Sequence, residues 1–443
     1  MKLKMKRIGA LLLAILFFLT ACGDKAKDQT KQEKNEDKQA ETQKNEMIDQ
    51  QFAGQTLKIV SLTKDMEYAA KAFEAAYGCK VELTVKDKKE WQNEPAAFAA
   101  ANPADIYTIE AADMESWLKA NLLLSLNEVS AENYAPYTIA YATDQTSALK
   151  ALTWSVTPVN LYYRRSVAKT VLGDDSPEMV AAAVANIQAV LDFSTKLQAA
   201  GYKIFANRED MKAFYQISDK TEKAVLSAEE QFFLTAVRQM ETDYRLAGLQ
   251  TWSANWFKGM YGKAANAVTG KNIEIFGYVL PSWGKSYVLE KAGDNAENTN
   301  TEQNPTWGDW AMTVCPTATF SDGIWLGIHQ DSKQAEMAKA FLIYVTQNQA
   351  FLEKWLEKTK ELPAFLPVLE NFAQENEDSF LGGQKANQLY LQTVKEIPAK
   401  SAQLLREEAE YYLVLEEFLK GNVATFEEVQ AKLVAPPPVE NQP

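Results

Sequence analysis

The chain is poor in the residues that most often carry chemistry. It has one histidine, His329, and three cysteines, Cys22, Cys79 and Cys315, none spaced as Cys-x-x-Cys. Such an inventory makes a zinc cage implausible. There is also no Gly-x-Ser-x-Gly elbow, no glycine-rich phosphate loop ending in Lys-Ser or Lys-Thr, and no His-Glu-x-x-His pair. His329 follows the apolar run Ile324 to Ile328 and reads as a structural or surface residue. No catalytic residue, metal or cofactor is therefore assigned. Positive charge is short as well: 46 basic against 59 acidic side chains give a formal charge of −13. A nucleic-acid partner needs a basic face, so that class is set aside.

Long apolar runs are also missing, with one exception at the start. Lys2, Lys4, Lys6 and Arg7 precede an apolar stretch from Ile8 to Leu19, followed by Thr20-Ala21-Cys22. About a dozen residues fall short of the roughly 20 that a bilayer-crossing helix needs. The order of basic start, short apolar run and small residues is that of a secretory signal. Leu19-Thr20-Ala21-Cys22 resembles a lipobox, which implies a signal over 1–21 and a diacylated Cys22 as the mature N-terminus. Removing residues 1–21 takes four basic and no acidic side chains, leaving a charge of about −17. Residues 22–51 are mostly Lys, Asp, Glu, Gln, Asn, Thr and Ala, too apolar-poor to offset ordering entropy, and read as a tether.

From Phe52 onward the composition is that of a globular protein. Nearly 400 residues exceed one ordinary core, so two domains are expected. Leu57 to Ser61 reads as a strand, Met66 to Tyr77 as a helix stopped by Gly78, and Val81 to Val85 as an alternating strand. A helix around Trp91 to Ala101 leads into a strand over Ala104 to Ile109. Alternation of this kind predicts an α/β fold with largely parallel sheets. Ser176-Pro177 caps a helix running to Leu197, and the boxes at Ser227 and Thr425 open two more. Strands are expected over Ile273 to Leu280 and Trp310 to Val314, and Pro436-Pro437-Pro438 breaks the chain near its end. Cys79 and Cys315 could be bridged outside the cell or remain two separate buried thiols, and spacing leaves both open.

What is plentiful is aromatic: ten Trp, 18 Tyr and 20 Phe. Trp154, Trp283, Trp307 and Trp325 sit among Pro, Gly and Ser rather than mid-helix. A flat indole packs well on the C–H face of a sugar while carboxylates and amides bond its hydroxyls. Each could equally be a core residue.

The order of segments resembles the extracellular solute-binding proteins of ABC importers, in particular the sugar-binding group that includes maltose-binding protein. The resemblance is carried by Trp310 to Pro316, by Asp322 to Ile328, and by Glu336, Ala338, Phe341 and Leu342. Asp105-Ile106, Leu161 to Arg164, Gly270 with Trp283, and Leu362-Pro363-Ala364 follow in order. It implies two α/β lobes, each a mostly parallel sheet flanked by helices, with the ligand cleft between them. Projected here, lobe 1 takes 52–159 plus 308–345 and lobe 2 takes 160–307 plus 346–435, with a Pro-rich tail over 436–443. It further implies Trp283 stacking on the ligand, with Trp325 and Glu110 opposite, and Trp154, Trp252, Thr63 and Asp322 completing the candidate contacts. The implied protein is a monomeric, lipid-anchored receptor on the outer face of the membrane that hands a sugar, expected to be an oligosaccharide, to permease subunits. A surface glycoside hydrolase and a receptor for another small solute such as a polyamine are the competing readings. No carboxylate pair is singled out by spacing for the former.

Overall fold

A computed structural model describes residues 50–90, 94–215, 225–266, 269–293, 304–374 and 377–434. Cys22, most of the tether, Trp91 and the tail 436–443 lie outside the described residues. The strands are β1 (Thr56–Ser61), β2 (Lys80–Val85), β3 (Ile106–Glu110), β4 (Ala151–Leu152), β5 (Ser155–Val156), β6 (Val159–Arg164), β7 (Tyr202–Phe205), β8 (Ala264–Ala265), β9 (Asn272–Pro281), β10 (Trp310–Thr313), β11 (Ile324–Ile328) and β12 (Leu362–Pro363). They form a first sheet in the order β2-β1-β3-β11-β4 and a second in the order β10-β6-β9-β7 with β8 beside β9. β5, in the link from β4 to β6, pairs with β12 as a small separate ribbon.

The opening strand–helix–strand unit follows the sequence pattern. Met66, Ala69, Ala70 and Phe73 put one apolar face of helix Met66–Tyr77 on the first sheet. Gly78 closes that helix at φ 63°, a left-handed conformation glycine adopts without a Cβ clash. β1 then pairs in parallel with both β2 and β3. Trp117 and Phe98 pack against Tyr107 of β3 and against each other.

The expectation of mostly parallel sheets needs correction. β11 runs antiparallel to both β3 and β4, and in the second sheet only β7–β9 is parallel. The class is α/β with mixed sheets, because returning strands insert beside strands laid down earlier. The helix expected from Pro177 to Leu197 is two, Pro177–Ala183 and Ile187–Ala199. Asn186 caps the second by accepting from Ala189 N–H at 3.0 Å. The boundary expected at 307/308 also differs from the pairing: β10 lies in the second sheet against β6, and the chain returns to the first sheet only at β11. Helices Ala335–Gln347 and Gln349–Thr359 pack on the first sheet's helix layer, through Phe341 against Phe73 and Phe351 against Tyr68. The stretch just past 345 thus sits with lobe 1 rather than lobe 2. Cys79 is half-buried in the first lobe and Cys315 buried in the second, each a free thiol.

Candidate functional site

Strand direction decides which edges of the two sheets face each other. β4 runs the same way as β3, since both are antiparallel to β11. Its end at Leu152 leads through β5 directly to the start of β6. The edge carrying Ser61, Glu110, Leu152 and Ile324 therefore meets the edge carrying Val159, Phe205, Pro281 and Thr313. Three segments cross between them. The central one is 153–159. The 314–323 crossing bonds to one side of it, through Val159 N–H to Thr319 O at 3.0 Å and Ser321 N–H to Thr157 O at 3.2 Å. β12 pairs with β5 on the other side.

Trp283 and Trp252 lie together on the second lobe's facing edge. Trp283 follows directly on β9, whose last residue, Pro281, pairs with Val159. Neighbouring Ser282 Oγ reaches Val156 O at 3.4 Å, fixing the turn beside the crossing. Trp252 belongs to a loop tied to the end of β7: Leu249 N–H donates to Ala206 O, and Asn207 Nδ2 donates to Leu249 O and Thr251 Oγ1. The two indoles lie nearly parallel, with centroids 6.1 Å apart and planes 9° from each other. Trp256 and Phe257 buttress Trp252 from behind at 5.3 and 6.0 Å. Trp252 is 58% exposed and holds φ at 67°. A bulky residue in the left-handed region with an exposed indole costs on the order of 1–3 kcal/mol, an expense characteristic of functional positions.

On the opposite edge, Thr63, Glu110 and Asp322 occupy loops or strand ends at the gap. Thr63 is pinned by Ser61 Oγ and donates to Asp65 Oδ2 at 3.1 Å. Glu110 ends β3 and forms an ion pair with Lys88. Asp322 is exposed at φ 63° and its carbonyl accepts from Thr157 Oγ1 at 3.2 Å.

Two of the expected contacts are core residues instead. Trp325 is 1% exposed; its Nε1 donates to Thr138 O at 3.1 Å and its ring lies 5.0 Å from Tyr141. Gly323, at φ 128°, leaves room for it, since a Cβ there would come within 3.0 Å of the indole. Trp154 is 2% exposed, packs on Trp355, and donates to Glu361 Oε2 at 2.8 Å. Trp355 Nε1 donates to that same oxygen at 2.8 Å, so one carboxylate locks two crossing segments and a first-lobe helix together. Burial raises the Glu361 carboxyl above the usual range, and the two indole bonds oppose that rise.

The structure adds residues the sequence reading did not single out. A cavity of about 390 Å³ opens at the second lobe's edge, beside the 314–323 crossing. Glu209, Lys212 and Tyr215 line it from the second lobe, and Leu405 and Tyr412 from helix Ala402–Leu419. Leu405, Glu408, Ala409 and Tyr412 recur at i, i+3, i+4 and i+7, a spacing legible in the sequence although its destination was not. Both of its lysines are ion-paired, Lys212 with Glu416 at 2.9 Å and Lys400 with Glu408 at 2.6 Å. The Tyr412 hydroxyl is buried without a protein partner. A second cavity of about 670 Å³ flanks β12 on the other side of the crossings, next to Lys285, which is held by Glu290 and Asp378.

Asp210 lies beneath the first cavity, 8% exposed, accepting N–H bonds from Val279 at 3.0 Å and Asn207 at 3.3 Å. Burial pushes its carboxyl from 3.8 up to about 7, against the pull of those bonds. Because the folded state holds this proton more tightly than the unfolded chain, the contribution is complete below about pH 4 and fades as pH rises through 7. Asp210→Asn is expected to remove a pH dependence of a few kcal/mol. Unfolding of both proteins between pH 4 and 8 checks this: their stability difference should change across the range, and a constant offset would contradict it.

No curated protein sequence matches. By structure, an extracellular solute-binding protein of family 1 superposes with a TM-score of 0.67 at 15% identity, covering 86% of this chain and 97% of that one. The ABC-transporter-associated binding protein from B. animalis subsp. lactis Bl-04, in complex with beta-1,6-galactobiose, has a TM-score of 0.58 at 18% identity, with 86% and 96% covered. The galacto-N-biose/lacto-N-biose I-binding protein of Bifidobacterium longum, in complex with lacto-N-biose, has a TM-score of 0.59 at 12% identity, with 86% and 95% covered. At such identities these likenesses establish the two-lobed fold. No described helix is long and apolar enough to cross a membrane. The sequence profile described as bacterial extracellular solute-binding protein matches residues 68–378, well over half of the chain, and the protein belongs to that family.

Proposed function

We propose that this chain is the lipid-anchored receptor of an ABC importer and captures an oligosaccharide between its lobes. The observation that carries the reading is the Trp252–Trp283 pair, an aromatic platform held at the cleft edge at a conformational cost. Thr63, Glu110 and Asp322 offer hydrogen-bonding groups on the opposite edge, and Glu209 lines the separate cavity beside the 314–323 crossing. A cavity of about 390 Å³ falls within the usual range for small-ligand sites. Ligand that touches both edges only when the lobes approach shifts the population toward the closed form by its differential affinity. Permease subunits then read the closed geometry, and the lipid on Cys22 keeps the receptor beside them.

A thermal-shift panel of mono- and oligosaccharides on a chain beginning at Gln51 tests the binding reading. A sugar at 100 times its Kd stabilises the folded form by about 2.7 kcal/mol. No stabilisation by any sugar, with a shift for a polyamine instead, would reassign the cleft. The anchor is tested separately: Cys22→Ser protein should leave the membrane fraction, and its retention there would sink that assignment.

A further inference from the structure

Helix Ala402–Leu419 divides its faces among three tasks. Tyr411, Leu415 and Phe418 are buried in the second lobe, where Tyr411 donates to Glu230 Oε1 at 2.9 Å. The Leu405–Tyr412 face lines the smaller cavity. The remaining face, Gln403 and Arg406, leaves the second lobe altogether. Arg406 forms an ion pair with Glu115, and Gln403 Oε1 accepts from Gln145 Nε2 at 3.0 Å. Glu115 and Gln145 both belong to the first lobe. Glu115 lies in the first turn of helix Met114–Ala120, which follows the end of β3 at the facing edge and packs into the first core through Trp117.

We propose that Arg406 and Glu115 form an inter-lobe latch across one end of the cleft. The three crossings are covalent hinges that permit rotation. The Arg406–Glu115 contact is instead a reversible bond between bodies that move relative to one another. Opening the lobes at this end requires breaking it. Glu115 is 8% exposed, so its partner on the other lobe matters more than in a solvated surface pair. Lys119, 2.7 Å from the other Glu115 oxygen, keeps that carboxylate compensated when the latch opens. On the other side, Glu410 receives the guanidinium from one turn along its own helix. Both partners are thus provided for in the open state, which makes the contact a switchable one. The latch requires only the two-lobed architecture and is independent of which solute binds.

Small-angle scattering on the ligand-free protein tests it. Arg406→Ala should raise the ratio of open to closed molecules about two- to fivefold, seen as a larger radius of gyration. Wild type in 1 M salt should move toward the Arg406→Ala profile, while that variant should show little response to salt. Arg406→Lys should recover most of the compact form, and Glu115→Gln should resemble Arg406→Ala. Because Lys119 still serves Glu115, thermal unfolding of Arg406→Ala should stay close to wild type, separating a latch from a folding defect. Identical profiles for wild type and Arg406→Ala at low salt would overturn the proposal.

Discussion

Trp325→Ala is expected to destabilise the ligand-free protein by about 3–5 kcal/mol, the usual cost of truncating a fully buried tryptophan. The indole is 1% exposed and makes a hydrogen bond to Thr138 O that connects β11 to helix Pro136–Tyr141. Truncation leaves a cavity lined by Tyr141 and Phe320 and leaves that carbonyl without its partner. The loss should fall in the transition of the first lobe, so urea unfolding is best followed with probes in each lobe. A residue lining the cleft would show the reverse emphasis: its removal would weaken binding and cost far less unliganded stability. Near-wild-type stability of Trp325→Ala would therefore restore the placement that the sequence suggests.

That contrast shows what the sequence can and cannot tell. Trp325 follows Gly323 and Trp283 follows Pro281-Ser282, so both look like turn-flanked aromatics with room to project. One points into the first core and the other toward the gap, because orientation depends on sheet register. Trp325 lies within β11, where helix Pro136–Tyr141 covers it, whereas Trp283 comes after β9 has ended at the facing edge. Periodicity sees neither fact. The same blindness explains the sheet directions: a run such as Trp310–Thr313 announces a strand, but not that it will join β6 rather than the first sheet. Local signals fared better. Gly78, Ser176 and the capping box at Ser227 act where the chain chemistry places them, since each depends on partners three or four residues away. The helix break before Ile187 is masked in the sequence because Asn186 competes with an apolar pattern that continues through it.

Trp283→Ala and Trp252→Ala are each expected to weaken oligosaccharide binding. Loss of stacking alone contributes about 0.5–1.5 kcal/mol, and loss of buried contact adds to it. Since 1.4 kcal/mol is tenfold in affinity, each change should raise Kd several-fold to more than tenfold. The rings are close neighbours, with centroids 6.1 Å apart, so the double variant should fall short of the summed effects. The two sites should differ in stability. Trp283 is half-buried against the core and its truncation should cost some fold stability, whereas Trp252 is 58% exposed and carries the strain itself. Trp252→Gly is the decisive variant, because glycine tolerates φ 67° and removes the indole together with the strain. It should melt at or near the wild-type temperature and still bind more weakly, as measured by calorimetry with the sugar found in the thermal-shift panel. Unchanged affinity in Trp252→Gly and in Trp283→Ala would mean that this pair is not the platform, and would move the binding surface toward the cavity beneath Tyr412.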